Sequence, residues 1–132
     1  MVKSPLAFTL GESVDVQMPL TNAGATPALD MQVQLHLNVF TGAFPVQLPP
    51  VVFAESSSKG LCSPGHNLST TENITISADE LRAIETGFAT FVIWGGCRYR
   101  DVFGDNHMTR FCYRYLPKMK STVIASDFNE AN

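Results

Sequence analysis

Residues 88–116 read FATFVIWGGCRYRDVFGDNHMTRFCYRYL. Two apolar and aromatic runs flank a turn at Gly104-Asp105, and each run has the length and β-branched, aromatic content of a strand. The stretch holds Trp94 (the only tryptophan), all three tyrosines, two of the three cysteines and four of the five arginines. Side chains this large and this dense predict a hairpin in the middle of a β-sheet, filling much of its core.

The rest of the chain supplies partners for that hairpin. From Ser13 to Met18, Val14, Val16 and Met18 share one face. From Leu29 to Phe40, Met31, Val33, Leu35, Leu37 and Val39 point one way while Gln32, Gln34, His36 and Asn38 point the other. Period-two alternation of this kind marks half-buried strands. Leu6–Leu10 reads as an edge strand, Thr71–Ser77 as a strand with Ile74 and Ile76 inward, and Lys120–Ser126 as a closing strand. Asn22 and Gly24 build the turn after the first alternating run. Residues 41–70 are rich in Pro, Ser and Gly, with Val51–Phe53 as a brief strand, and so long a loop is expected to pack over the sheet. Ser77 with Glu80 is a capping box, Ile76 and Leu81 stand at staple positions, and Gly87 closes a two-turn helix over 78–86 that crosses between sheets.

At 132 residues the chain suits one domain over 1–126, followed by a flexible tail at 127–132. An apolar fraction of 45% against 16% charged residues fits a folded protein, not a disordered one. Eight prolines and nine glycines favour many short strands over a helical bundle. No apolar run reaches the ~20 residues of a membrane span, and the first residues lack the apolar stretch of a signal peptide.

The net charge of −3 argues against a dedicated nucleic-acid binder. That charge is unevenly placed: residues 98–120 carry six cations against Asp101 and Asp105, a net +4, and the remainder carries −7. Such asymmetry marks Arg98, Arg100, Asp101, His107, Arg110 and Arg114 as a candidate interaction surface.

Two motifs carry a resemblance. Asn22-Ala-Gly-Ala-Thr-Pro-Ala28 between alternating strands resembles the turn of CARDB-type, immunoglobulin-like bacterial modules. Together with Tyr99-Arg-Asp-Val-Phe-Gly104 and His107-Met-Thr-Arg-Phe-Cys112, it is similar to a group of uncharacterised bacterial proteins in which a membrane anchor often precedes an extracytoplasmic β domain. The resemblance spans about Ser13 to Leu116 and implies an extracytoplasmic, immunoglobulin-like domain with no activity to carry over. The expected fold is therefore an all-β, immunoglobulin-like sandwich of about seven or eight strands with one short crossover helix.

Chemistry-bearing residues are sparse. No nucleophile elbow, phosphate-cradling glycine loop or paired-carboxylate signature is present, so no enzyme and no cofactor are expected. If the hairpin turns about Gly104-Asp105, opposed residues sum to 209, which places Cys97 across from Cys112 as a disulfide candidate or as two buried thiols. A bulge at Gly95-Gly96 would undo that register. A zinc site from Cys62, His66, Cys97, His107 and Cys112 lacks a close Cys-x-x-Cys pair, so no metal is expected. Asp101 is expected to bond backbone amides of the turn or to pair with Arg110. The expected partners are another protein or a second copy of the chain, and the alternative is a small-ligand carrier with a pocket between the sheets or beneath the 41–70 loop.

Overall fold

In a computed structural model, residues 2–3, 10–42, 48–53, 60–119, 121–124 and 130–131 of the chain are described. Among them the elements run β1 (Val2–Lys3), β2 (Ser13–Thr21), β3 (Ala28–Thr41), β4 (Gly60–Cys62), β5 (Asn67–Thr75), α1 (Ala78–Thr86), β6 (Ala89–Arg100), β7 (Asn106–Leu116), β8 (Ser121–Ile124) and β9 (Glu130–Ala131). Two antiparallel sheets result. One has the order β1-β2-β5; the other has the order β4-β3-β6-β7-β8, with β9 also paired to β7. Among the described residues the fold is all-β apart from one short helix.

The two sheets pack face to face through the alternating positions seen in the sequence. Val14, Val16, Met18 and Leu20 of β2 meet Met31 and Leu35 of β3, Phe91 and Ile93 of β6, and Phe111, Tyr113 and Tyr115 of β7 in one buried cluster. Complete burial of a Val, Leu or Phe side chain contributes about 1.5–3 kcal/mol, so this layer dominates the stability of the fold.

β6 is buried on both faces, which explains its unbroken apolar run. On the face turned away from the smaller sheet, Val92, Trp94 and Cys112 form a second cluster, covered by Phe40, Leu48 and Val51. The Trp94 indole N–H donates to the Pro49 carbonyl at 3.2 Å, and its ring lies 5.3 Å from that of His36. Residues 48–53 are thus a strap over the sheet and not the expected strand at Val51–Phe53. Pro49 and Pro50 have no N–H to give a ladder, so this apolar segment is held by side-chain packing and by the bond from Trp94 to the Pro49 carbonyl.

The helix follows its sequence signals. Ser77 Oγ accepts from the Glu80 amide and Glu80 Oε1 accepts from the Ser77 amide, each at 3.1 Å. Gly87 ends the helix at φ 87°. Ile76 is fully buried and Leu81 packs on the same core, so α1 carries the chain from β5 in one sheet to β6 in the other.

Asn22 ties one end of the sandwich together. Its side-chain amide donates to the carbonyls of Thr26 and Cys62, both at 2.9 Å, and its Oδ1 accepts from the Gly24 amide. Its backbone donates to His66 O and accepts from Gly65 N. The β2–β3 turn and the β4–β5 turn are therefore bonded to each other through one buried residue.

The ladder between β3 and β6 shifts register between Leu29 and Gln32, where Asp30 adopts φ 50°. No shift occurs at Gly95-Gly96. Glycine at 95 has another cause: a Cβ there would lie 2.1 Å from the Gln34 carbonyl oxygen and 3.0 Å from Phe111 Cζ. The expected edge strand Leu6–Leu10 lies outside the described residues apart from Leu10, which packs on the core. Within the stretch expected as a tail, Glu130–Ala131 pairs with Thr109 and Arg110 of β7.

Candidate functional site

The β6–β7 connection is a five-residue loop, Asp101 to Asp105, closed by the pair Arg100–Asn106. The Asp101 amide donates to Asp105 O at 2.9 Å, and the Gly104 amide donates to Asp101 O at 3.1 Å with Gly104 at φ 89°, a conformation glycine adopts without cost. Asp101 Oδ1 accepts from the amides of Phe103 and Asp105, each at 2.9 Å, and Oδ2 lies 2.8 Å from His107 Nε2. The bond from His107, with those of the Asp105 and Phe103 amides and against the effect of burial, holds the Asp101 carboxyl below its ordinary value. Tyr99 stacks on His107 with centroids 5.1 Å apart. Burial first, then Cys97 and Asp101, raise the Tyr99 hydroxyl above its ordinary range. With its backbone pinned this way, the loop presents Phe103 at 82% exposure and Val102 at 46%.

Beside the tip lies an open cleft of about 540 Å³, lined by Asp30, Gln32, Arg98, Tyr99, Arg100, Asn106, His107 and Met108. Arg98 Nε donates to the buried Gln32 Oε1 at 2.7 Å, and the Arg98 guanidinium sits 4.6 Å over the Phe53 ring. Arg100 pairs with Asp30 at 3.0 Å, an exposed contact that fixes position more than it stabilises.

Of the six residues expected as an interaction surface, Arg98, Arg100 and His107 line this cleft, and Asp101 adjoins it through His107. Asp101 pairs with His107 and not with Arg110. Arg110 stands opposite Gly96 in the next rungs of the ladder, whereas Arg114 stands opposite Val92 near the far end.

At that far end a second cavity of about 560 Å³ opens between the end of α1 and the end of β7. Ile84, Ala89, Tyr115, Leu116, Pro117 and Met119 give it an apolar lining, with Glu85, Arg114 and Lys118 also in its wall. The alternative expected from the sequence is a pocket between the sheets or beneath 41–70; this cavity is lined by residues within 84–90 and 114–119, and its Ile84, Ala89 and Tyr115 also belong to the buried cluster between the sheets.

The cysteine pairing is corrected by the register. Opposed residues of β6 and β7 sum to 206: Cys97 faces Thr109, and Cys112 faces Trp94. Because a shift of three is odd, it sends the two side chains to opposite faces of the sheet. Cys97 lies in the core between the sheets and Cys112 in the cluster under the strap. Cys62, Cys97 and Cys112 are all buried thiols, and burial pushes the Cys112 thiol up to about 11. On opposite faces, Cys97 and Cys112 cannot share a metal ion, and among the described residues no three His, Cys, Asp or Glu converge on a metal-sized position. Among the same residues no helix is long and apolar enough to cross a membrane. No protein-family model, curated protein or solved structure matches the chain.

Proposed function

We propose that this protein is a non-enzymatic interaction module of immunoglobulin-like build that makes its contact through the β6–β7 tip. The strand order supports the build. Lettered in immunoglobulin order, β1-β2-β5 occupy A-B-E, and β3-β6-β7 occupy C-F-G. The tip then stands where the F–G loop stands and the Asn22 turn where the B–C loop stands, at the end that variable domains use for binding. Because fold alone assigns no function, the reading rests on the tip itself.

The observation that carries it is Phe103, a solvent-exposed aromatic on a loop whose backbone is fixed by Asp101. Aromatic anchors dominate binding energy at interfaces, and rigidity removes the ordering cost of contact. Transfer of such a ring from water into a partner contributes about 1.5–3 kcal/mol. Arg100, Asp30 and His107 flank the anchor with polar groups that a partner's rim meets.

A photoreactive phenylalanine analogue at position 103 tests this in the cells that make the protein. The expected result is a covalent adduct with a second polypeptide chain, absent when the analogue replaces Arg82 on α1 and weakened by Asp101→Ala. Equal labelling from positions 103 and 82 refutes it.

A further inference from the structure

The exposed tip and the apolar cavity lie at opposite ends of one hairpin. β6 separates them by 12 residues, roughly 40 Å at a rise of about 3.3 Å per residue, so a molecule's own tip cannot reach its own cavity. We propose that the cavity receives Val102 and Phe103 of a second copy, so that molecules associate head to tail. The proposal rests on the tip being the contact, as argued above, and names its partner.

Size, chemistry and charge support the match. An apolar cavity of about 150 Å³ accepts a benzene ring. The present one, at about 560 Å³, has room for the Phe103 ring and its valine neighbour. Met119, 65% exposed at the cavity wall, is an unbranched and adaptable surface for an aromatic ring. The tip end carries Asp30, Asp101 and Asp105 against Arg98 and Arg100, while the cavity wall carries Lys118 and Arg114 against the single carboxylate of Glu85. The signs are complementary, which sets orientation and speeds encounter.

A tip-to-cavity contact joins two different patches: repeated head to tail it gives open chains, or rings where the rotation closes, whereas two copies exchanging tips reciprocally would stop at a two-fold dimer. One loop in one cavity buries little area, and contacts that small are weak, so association appears only at high protein concentration.

Sedimentation velocity over two decades of concentration, up to the millimolar range, tests the proposal. The wild type is expected to give a weight-average coefficient that rises without a plateau at the dimer. Phe103→Asp and Met119→Glu change exposed positions, and unchanged circular dichroism verifies that both variants fold. Each alone is expected to associate at least tenfold more weakly. Mixed, they regain one intact junction, since the first keeps the cavity and the second keeps the tip, and the mixture is expected to form dimers and nothing larger. A wild type that stays monomeric, one that stops at the dimer, or a mixture that fails to pair overturns the proposal.

The cross-link at position 103 separates the two readings. An adduct on residues 84–90 or 114–119 of a second copy supports head-to-tail association. An adduct on a different polypeptide overturns it while leaving the tip as the contact, and absence of any adduct removes both.

Discussion

Replacing Gly95 with alanine puts a methyl group where the sheet has no room for one. The added Cβ would sit 2.1 Å from the Gln34 carbonyl oxygen and 3.0 Å from Phe111 Cζ. A ring edge turns aside; a backbone carbonyl in the β3–β6 ladder does not. The strands must separate locally, and the cost joins overpacking of about 1–3 kcal/mol to a weakened ladder bond of about 1 kcal/mol, a total of about 2–4 kcal/mol. For 132 residues, an unfolding entropy of about 2.1 cal/mol/K per residue amounts to about 0.28 kcal/mol/K, so Tm falls by about 7–14 °C. Urea and thermal unfolding followed by Trp94 fluorescence measure both quantities. Gly11→Ala is the control: nothing lies within 4 Å of its added Cβ, and its effect is expected to be neutral or slightly stabilising. Phe111→Leu in the Gly95→Ala background is expected to restore little, because the carbonyl contact remains. A Gly95→Ala protein within about 0.5 kcal/mol of wild type, or one fully rescued by Phe111→Leu, refutes the reasoning.

Two further outcomes follow from the buried titratable groups. Protein unfolded without reductant is expected to release three thiols, whereas a Cys97–Cys112 bridge would leave one; in the native state Cys112, raised from 9.0 to about 11, should be alkylated slowly at pH 8. His36 is lowered from its ordinary 6.5 by burial, with Glu72 opposing, and its Nε2 has no hydrogen-bond partner among the described residues. The unfolded chain therefore takes up this proton first as pH falls through 6.5, so stability declines from there down to the folded value. His36→Gln is expected to flatten the loss of urea midpoint between pH 7 and pH 5, and an unchanged slope would contradict this assignment.

The local rules are legible in the sequence. Val14, Val16 and Met18 are buried as their alternation requires, Ser77 and Glu80 form the capping box, and Asn22 organises its turn. What escaped depends on contacts distant in sequence. The hairpin register was displaced by three because Asp101, three residues before Gly104, starts the loop by bonding amides on its far side, and spacing alone does not say where a ladder stops. The length of 41–70 already implies that part of it packs over the sheet; that Leu48, Pro49 and Val51 do so against Val92 and Trp94 is not legible, because those partners lie some 45 residues further along the chain. Of the candidate surface, Arg98, Arg100, Asp101 and His107 gather at one end, while Arg114 goes to the other because β7 is long enough to span the sheet.

The smaller sheet has a consequence for biosynthesis. β2 pairs with β5 from Ser13–Thr75 to Thr21–Asn67, so 62 positions separate the outermost partners. At elongation rates of about 5–20 residues per second, β2 waits roughly 3–12 s for its neighbour to be made. Through that interval Val14, Val16, Met18 and Leu20 are synthesised but unshielded, along with the hydrogen-bonding groups of β2. A nascent chain carrying such a segment is a natural client for ribosome-associated chaperones, and its yield in a heterologous host should be set by that delay more than by the stability of the finished protein.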